Sequence, residues 1–321
     1  MEHQWHSSIS EDMAKVNKMI ADTLMSERNE LQEICDYVVS SGGKRIRPAM
    51  CILSHHACGG KRNNDILRTA AAFEIIHDAT LIHDDINDKS EIRRGRKTVH
   101  KKYSVTKAVV AGDFMFAMGF GLFGAADRKI TEMIVKASKA MAESEFIQKE
   151  FEHKPIVTED DYLKIIRGKT AMPISAGAGI GAYTAGASES VIEKISTFAL
   201  EVGLAFQIID DVLDIIGDHR STGKKVGTDI AEGKPTLPVI YAMADPVNGK
   251  KIKSIFKKKE ASADDLKEAL ELIRGTDAIE RCRSKAKEIA DNAIPYLSCL
   301  KDSAYKDSLI GLAKYVVSRD R

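Results

Sequence analysis

Six aspartates, in two copies of one pattern, are the residues of this sequence best placed to do chemistry. Asp84, Asp85 and Asp88 stand in HDDIND, and Asp210, Asp211 and Asp214 in DDVLD. Each group closes a long, otherwise apolar segment with helical spacing. Residues four apart share a helix face, so Asp84 and Asp88 project together, as do Asp210 and Asp214. Carboxylates this close repel, and the end of a helix already carries partial negative charge. They are unfavourable there unless something positive binds them. One acidic cluster alone reads first as a solvated helix face. Two copies, each ending an apolar helix, instead suit a hard cation. Mg²⁺ takes one or two carboxylates, keeps several waters and accepts phosphate oxygens. Two such clusters facing each other would hold several Mg²⁺ ions around one diphosphate.

Basic residues next to breaks in the helical pattern supply the complement. Lys44, Arg45 and Arg47 lie in GGKRIRP, and Arg93 and Arg94 precede Gly95 just beyond the first cluster. Lys169 and Thr170 sit in GKTAM, Lys224 and Lys225 follow Gly223, and Lys234 precedes Pro235. Guanidinium groups bind phosphate in a two-pronged geometry, so loop-borne Arg and Lys beside both acidic patterns point to a phosphorylated substrate. The run KKKE at 257–260 reads as ordinary solvated surface.

The elements that must position these groups are helical. DILRTAAAFEIIHDATLIHDD and ISTFALEVGLAFQIIDDVLDII place apolar residues three and four apart over several turns, and no convincing period-two strand pattern occurs. Ser8 followed by Glu11 predicts a capping box opening the first helix. Breaks are expected at 41–48, 58–63, around 93–97 and at 217–238. Gly177, Gly179 and Gly181 lack the preceding strand that a dinucleotide fingerprint needs. They are expected to serve close helix packing instead. With no linker or composition shift, residues 1–321 are expected to form a single all-α domain of about ten or more helices.

The totals agree with a globular chain that has a real core: 44% hydrophobic and 30% charged residues. Lys and Arg number 48 against 47 Asp and Glu, a balance unlike the basic stripe of a nucleic-acid binder. Five scattered cysteines with no CxxC pair fit neither a disulfide framework nor a zinc site; Cys51 and Cys58, seven apart on a helical pattern, read as buried thiols, which suggests a reducing cytoplasm. The first residues show no apolar leader. No uninterrupted apolar run approaches the roughly 20 residues that span a bilayer, so a soluble protein is expected.

The blocks GGKRIRP, EIIHDATLIHDDIND, RRG, VVAGD, ESEFIQ, GKTA, GLAFQIIDDVLDIIGD, GKKVGTD and EGKPTLP, in this order between about residues 42 and 238, resemble the trans-isoprenyl diphosphate (polyprenyl) synthases. The resemblance implies a bundle of antiparallel helices around a deep apolar cavity, the isoprenoid synthase type, usually as a homodimer. It implies Mg²⁺ held by Asp84, Asp85, Asp88, Asp210 and Asp214, with Asp210 the principal ligand of the second motif. Arg93, Lys169 and Lys224, with Lys234 nearby, correspond to the allylic diphosphate site, and Lys44, Arg47, His77 and Arg94 to the isopentenyl diphosphate site. His77 alone would read as a structural histidine, but it lies two turns before Asp84 on the same face.

The implied reaction condenses isopentenyl diphosphate onto an allylic diphosphate. Lys169 and the dipoles of Thr170 and Gln207 would steady the allylic cation formed when diphosphate leaves. The helix face running back from Asp84 through Thr80, Ile76 and Phe73 would line the product channel, roughly 16 Å deep. In this family, bulky aromatics one turn before the first motif stop elongation; here Ala79 and Thr80 are small. A medium- or long-chain product is therefore expected, and Ala79→Phe should shorten it. The alternatives are a geranylgeranyl or farnesyl diphosphate synthase, or a subunit of a heteromeric synthase. A terpene cyclase fits poorly, because the second motif is DDVLD. Three departures from the family pattern, Lys97, Ser144 and the Met172–Pro173 pair, bear on pocket shape, with Pro173 expected to bend its helix.

Overall fold

A computed structural model of the chain describes residues 4–124, 127–217 and 226–319. It is built of helices: α1 (Ser10–Thr23), α2 (Asn29–Val39), α3 (Ile46–Ala57) and α4 (Asn64–Asn87) come first. A two-stranded hairpin, β1 (Ile92–Arg93) and β2 (Arg96–Lys97), follows. Then come α5 (Val99–Lys102), α6 (Val105–Phe123), α7 (Arg128–Phe151), α8 (Glu159–Ile166), α9 (Met172–Thr184) and α10 (Glu189–Ile216). The chain ends with α11 (Thr228–Ala231), α12 (Leu237–Met243), α13 (Gly249–Phe256), α14 (Ala263–Arg274), α15 (Ala278–Ala293) and α16 (Ala304–Val317).

These elements form two compact units. The first comprises Met1–Ile134, Ile174–Thr197 and Tyr296–Leu312, and the second Val135–Pro173, Phe198–Pro295 and Ala313–Arg321. In the first unit α4 is central, packed by α6, α3 and α1. Its start is set by Asn63, whose side-chain oxygen accepts the Ile66 N–H at 3.0 Å. This satisfies a donor that the first helical turn leaves over. Small residues let α4 and α6 approach closely. A Cβ on Gly112 would lie 2.3 Å from His83 Nε2, and one on Gly119 2.8 Å from Ile76 Cγ1. Ala79, one turn from each of those contacts, is wholly buried.

Close packing also explains the glycines of α9. A Cβ on Gly181 would stand 2.3 Å from the Cys51 carbonyl oxygen, and one on Gly179 2.4 Å from Ser196 Oγ; Gly177 has ordinary room. The expected capping box at the start of α1 does not form. Residues 4–9 make a 3₁₀ turn first, and Ile9 is the helix cap. The Ser8 hydroxyl pairs with Ser308 at 2.8 Å, and Glu11 is drawn to Lys15 and Arg62. Ser308 and Arg62, distant in sequence, and Lys15 one turn on take the place of the cap.

The second unit is built on most of α7, α8, most of α10 and α11 to α15, with Phe198, Ile208, Ile209, Val212 and Ile215 fully buried. Between α8 and α9 the chain widens into a π-helical turn, Arg167–Ala171, in which the Met172 N–H reaches back to the Arg167 carbonyl. Pro173, the next residue, has no N–H to give to Lys169, and the regular α-helical pattern is interrupted just before it by this wider turn. Gly168 is required there. A Cβ would overlap Ser144 Oγ at 1.8 Å and the Ala140 carbonyl at 2.6 Å.

Candidate active site

Both aspartate motifs lie where the helical spacing predicts. Asp84 and Asp85 are in the last turn of α4 with Asp88 as its cap, and Asp210, Asp211 and Asp214 are in the last two turns of α10. The two motifs share a division of labour that spacing alone did not reveal. The outer aspartates are half-buried: Asp84 and Asp88 in one, Asp210 and Asp214 in the other. The middle one is buried in both and already engaged.

Asp85 receives Arg93 Nε at 2.7 Å. This pair is set up by the hairpin, whose turn Arg94–Gly95 has φ values of 50° and 74°. Positive φ at both central residues gives the turn that matches the twist of paired strands. Arg94 carries a cost of about 1–2 kcal/mol for adopting it. The turn carries Arg94 back to the 41–45 loop, where its Nη1 donates to Ser41 Oγ at 3.0 Å and to the Gly42 carbonyl. Lys44 is exposed in that loop and Arg47 half-buried on α3. His77 is half-buried on α4 and held well below the ordinary histidine range, by burial first and then by Arg47, Arg94, Arg93 and Arg45. It is therefore held as the neutral imidazole. The structure thus gathers Arg45, Arg47, Arg93 and Arg94 around His77, joins Arg93 to the first motif, and leaves Lys44 exposed in the adjoining loop.

In the second unit Asp211 is tied into a buried chain. Tyr162 Oη donates to it at 2.7 Å, as does Gln207 Nε2, and the Gln207 carbonyl accepts the Thr170 hydroxyl at 2.7 Å. Burial, then the neighbouring Asp229, pushes the Asp211 carboxyl well above its usual range. Asp214 Oδ2 accepts the Asp229 N–H at 3.2 Å. Asp210 pairs with Arg319, whose guanidinium is buried over the Phe206 ring. Lys169 Nζ lies 2.6 Å from Glu145 Oε2, and Lys234 Nζ 2.6 Å from Glu232. Lys224 lies outside the described residues.

Sequence reasoning did not single out Glu145, Tyr162, Asp229 or Arg319. Glu145 and Asp229 stand inside the quoted blocks ESEFIQ and GKKVGTD, so a signal existed for them. Nothing in the spacing of Tyr162 or Arg319 marks either. Phe73, Ile76 and Thr80, the residues expected to line a product channel, share the Asp84 face of α4, at about 100° per residue. Phe73 packs edge-on against Phe123, with ring centroids 5.8 Å apart, and the Thr80 hydroxyl is turned onto the His77 carbonyl at 2.7 Å. Ala79 lies on the flank that packs against α6.

The donors fit Mg²⁺. Each motif offers two half-buried carboxylates, hard oxygens of the kind taken by an ion that phosphate oxygens and water complete.

Comparison with known proteins agrees with this arrangement. The family model described as polyprenyl synthetase matches residues 28–273. Octaprenyl diphosphate synthase of Escherichia coli is 36% identical over 315 residues, covering 97% of each chain. Geranylgeranyl diphosphate synthase of Saccharolobus solfataricus is 34% identical over 322 residues, covering 97% of this chain and 96% of that one. The crystal structure of a polyprenyl synthase from Caulobacter crescentus, complexed with calcium and isoprenyl diphosphate, superposes with a TM-score of 0.94 at 33% identity, covering 99% and 98%. With its two aspartate motifs on an all-α frame of the isoprenoid synthase type, the chain belongs to the polyprenyl synthetase family and is a prenyltransferase.

Proposed function

We propose that this prenyltransferase uses Mg²⁺ to condense isopentenyl diphosphate onto an allylic diphosphate, and repeats the step to a medium- or long-chain all-trans polyprenyl diphosphate. The observation that carries the reading is the shared design of the two motifs. In each, two half-buried aspartates four residues apart stand at the end of a helix, while the middle one is buried and anchors neighbouring side chains. Bound at Asp84, Asp88, Asp210 and Asp214, Mg²⁺ would neutralise the departing diphosphate as a Lewis acid.

The chain's own groups do the rest. Arg93, fixed by Asp85, and Lys169, fixed by Glu145, hold the allylic diphosphate, with Lys224 and Lys234 completing the set. Lys44, Arg47, Arg94 and neutral His77 hold isopentenyl diphosphate. As the allylic C–O bond breaks, the double bond of isopentenyl diphosphate supplies the electron pair of the new C–C bond. A proton then leaves the new adduct to the released diphosphate, restoring an allylic product. Thr170 and Asp211 fix the Gln207 amide, so its dipole is set before the cation forms.

Relatives of both lengths are similar to this chain, and the small, half-buried Thr80 favours the longer product. The family match runs through both units, which supports one prenyltransferase domain over 1–321. Buried thiols at Cys35, Cys51 and Cys282 support a reducing, cytoplasmic setting; burial raises the Cys35 thiol to about 11.

A homodimer is supported by α6. It is the one described helix long and apolar enough to cross a membrane, yet one face packs on α4, and Lys107 and Asp113 interrupt it. Its other face leaves Val105, Val109, Val110 and Phe120 exposed, Val110 at 55%. A second copy of the chain would cover that patch. Val110→Glu with Phe120→Glu is expected to turn a dimer into a monomer in analytical ultracentrifugation, and two identical sedimentation profiles would refute the interface.

The reaction itself is tested by incubating the purified chain with farnesyl diphosphate, labelled isopentenyl diphosphate and Mg²⁺, then sizing the products. A ladder ending in a long polyprenyl diphosphate supports the proposal. A stop at geranylgeranyl diphosphate keeps the reaction and overturns the length, and no incorporation points to a missing subunit.

A further inference from the structure

Asp78 belongs to neither aspartate motif. It sits on α4 one turn after Glu74, on the face opposite the helix's contact with α6, and its side chain is wholly buried. Two guanidinium groups from separate stretches of chain converge on it. Arg45 Nη1 lies 2.7 Å from Glu74 Oε1 and 3.3 Å from Asp78 Oδ2. Arg94 Nη1 lies 3.8 Å from Asp78 Oδ1, an oxygen with no hydrogen-bond partner. Arg45 ends the loop that presents Lys44 and leads into Arg47. Arg94 forms the turn after the first motif and is wedged against that loop, where a Cβ on Gly43 would lie 3.0 Å from its Nη2. Both arginines have left-handed backbones, φ 52° and 50°, a conformation that persists only where surrounding contacts over-determine it.

We infer that Asp78, backed by Glu74, is a positioning residue that clamps Arg45 and Arg94 so that the 41–47 loop and the 93–95 turn present one preformed anion site to isopentenyl diphosphate. This rests on the substrate assignment proposed above. Two buried carboxylates side by side are a costly way to fill space, and an amide or apolar side chain would pack there with less penalty. Their arrangement makes sense as fixed negative charge behind two cations that must stand still. It keeps both guanidiniums on the protein side of the site and sets where phosphate oxygens can reach them.

The clamp has a built-in dependence on pH. Burial, and then Glu74, raise the Asp78 carboxyl to about 7, against the opposing pull of Arg45 and Arg94. These are the charged groups that face it: Glu74 from its own helix, Arg45 from the loop and Arg94 from the turn; His77 beside it is neutral. Because the value is raised, Asp78 is a neutral acid below about 7 and a carboxylate above it. The clamp is complete only on the alkaline side.

The test compares wild type with Asp78→Asn in steady-state kinetics across this range. At about pH 8, Asp78→Asn is expected to raise KM for isopentenyl diphosphate about tenfold, with kcat and KM for the allylic substrate within about twofold. At about pH 6 the two proteins should converge, since wild-type Asp78 is then protonated as well. Titration of the substrate affects both proteins alike and cancels in the ratio. An unchanged KM at the higher pH, an equal fall in kcat, or a difference that persists at the lower pH overturns the inference. Should Asp78→Asn fail to fold, Glu74→Gln serves. It removes the repulsion on Asp78, so the acid limb of KM should move to lower pH, and an unmoved limb overturns the clamp. A wild type that never consumes isopentenyl diphosphate would instead refute the proposed reaction.

Discussion

Asp84→Asn is expected to lower kcat/KM by roughly 10³-fold. Asp84 is half-buried at the end of α4, and its loss removes a carboxylate that would hold Mg²⁺ against the leaving diphosphate. A metal contact of this kind contributes several kcal/mol, and each 1.36 kcal/mol is about tenfold in rate. Asp85→Asn is expected to cost stability as well. Its side chain is 6% exposed and pairs at 2.7 Å with an Arg93 that is 20% exposed. Breaking such a pair strands a buried guanidinium, at a cost of about 3–5 kcal/mol. Calorimetry and initial rates on both variants decide the matter. A wild-type melting temperature for Asp85→Asn, or full activity of Asp84→Asn, would remove the distinction between outer and middle aspartates.

Thr80→Phe is expected to shorten the product by several isoprene units with little loss of the first condensation. Thr80 is half-buried one turn behind Asp84 on the same helix face, so a ring there would stand under the growing chain. Ala79→Phe, the substitution suggested by residue size alone, tests something else as well. Ala79 is wholly buried beside α6, between the contacts of His83 with Gly112 and of Ile76 with Gly119. A phenyl ring would force those helices apart, costing about 1–3 kcal/mol or more. Product sizing with a thermal melt on each variant separates the effects. A Thr80→Phe enzyme that makes the wild-type product would refute the channel wall. A stable Ala79→Phe enzyme would show the α4–α6 contact to be looser than its glycines indicate.

Much of the frame follows from local pattern. Apolar residues at helical spacing specify helices, and two DDxxD groups ending apolar helices specify carboxylates that need cations. The breaks at GGKRIRP and RRGRK specify where the chain can turn basic groups toward an anion. Periodicity carries these conclusions because it depends on residues a few positions apart. The same is true of the glycines of α9, whose spacing in a helical segment already implied close packing, although only Gly179 and Gly181 turned out to need it.

What tertiary structure decided is which of several equivalent residues does what. Nothing in the spacing separates Asp85 from Asp84, or Asp211 from Asp210; burial against Arg93 in one case and Tyr162 with Gln207 in the other does so. Ser8 and Glu11 fit a local cap, yet Ser308 and Arg62, distant in sequence, claim them. Ala79 and Thr80 are neighbours of similar size, and only the packing of α6 against α4 places one in the core and leaves the other half-open. Arg319 carries no motif at all, and Asp78, although inside the block EIIHDATLIHDDIND, belongs to neither aspartate pattern, because their roles come from contacts with residues far along the chain. Helical periodicity is a property of neighbours in sequence, whereas burial, ion pairing and the pKa values they set are properties of neighbours in space.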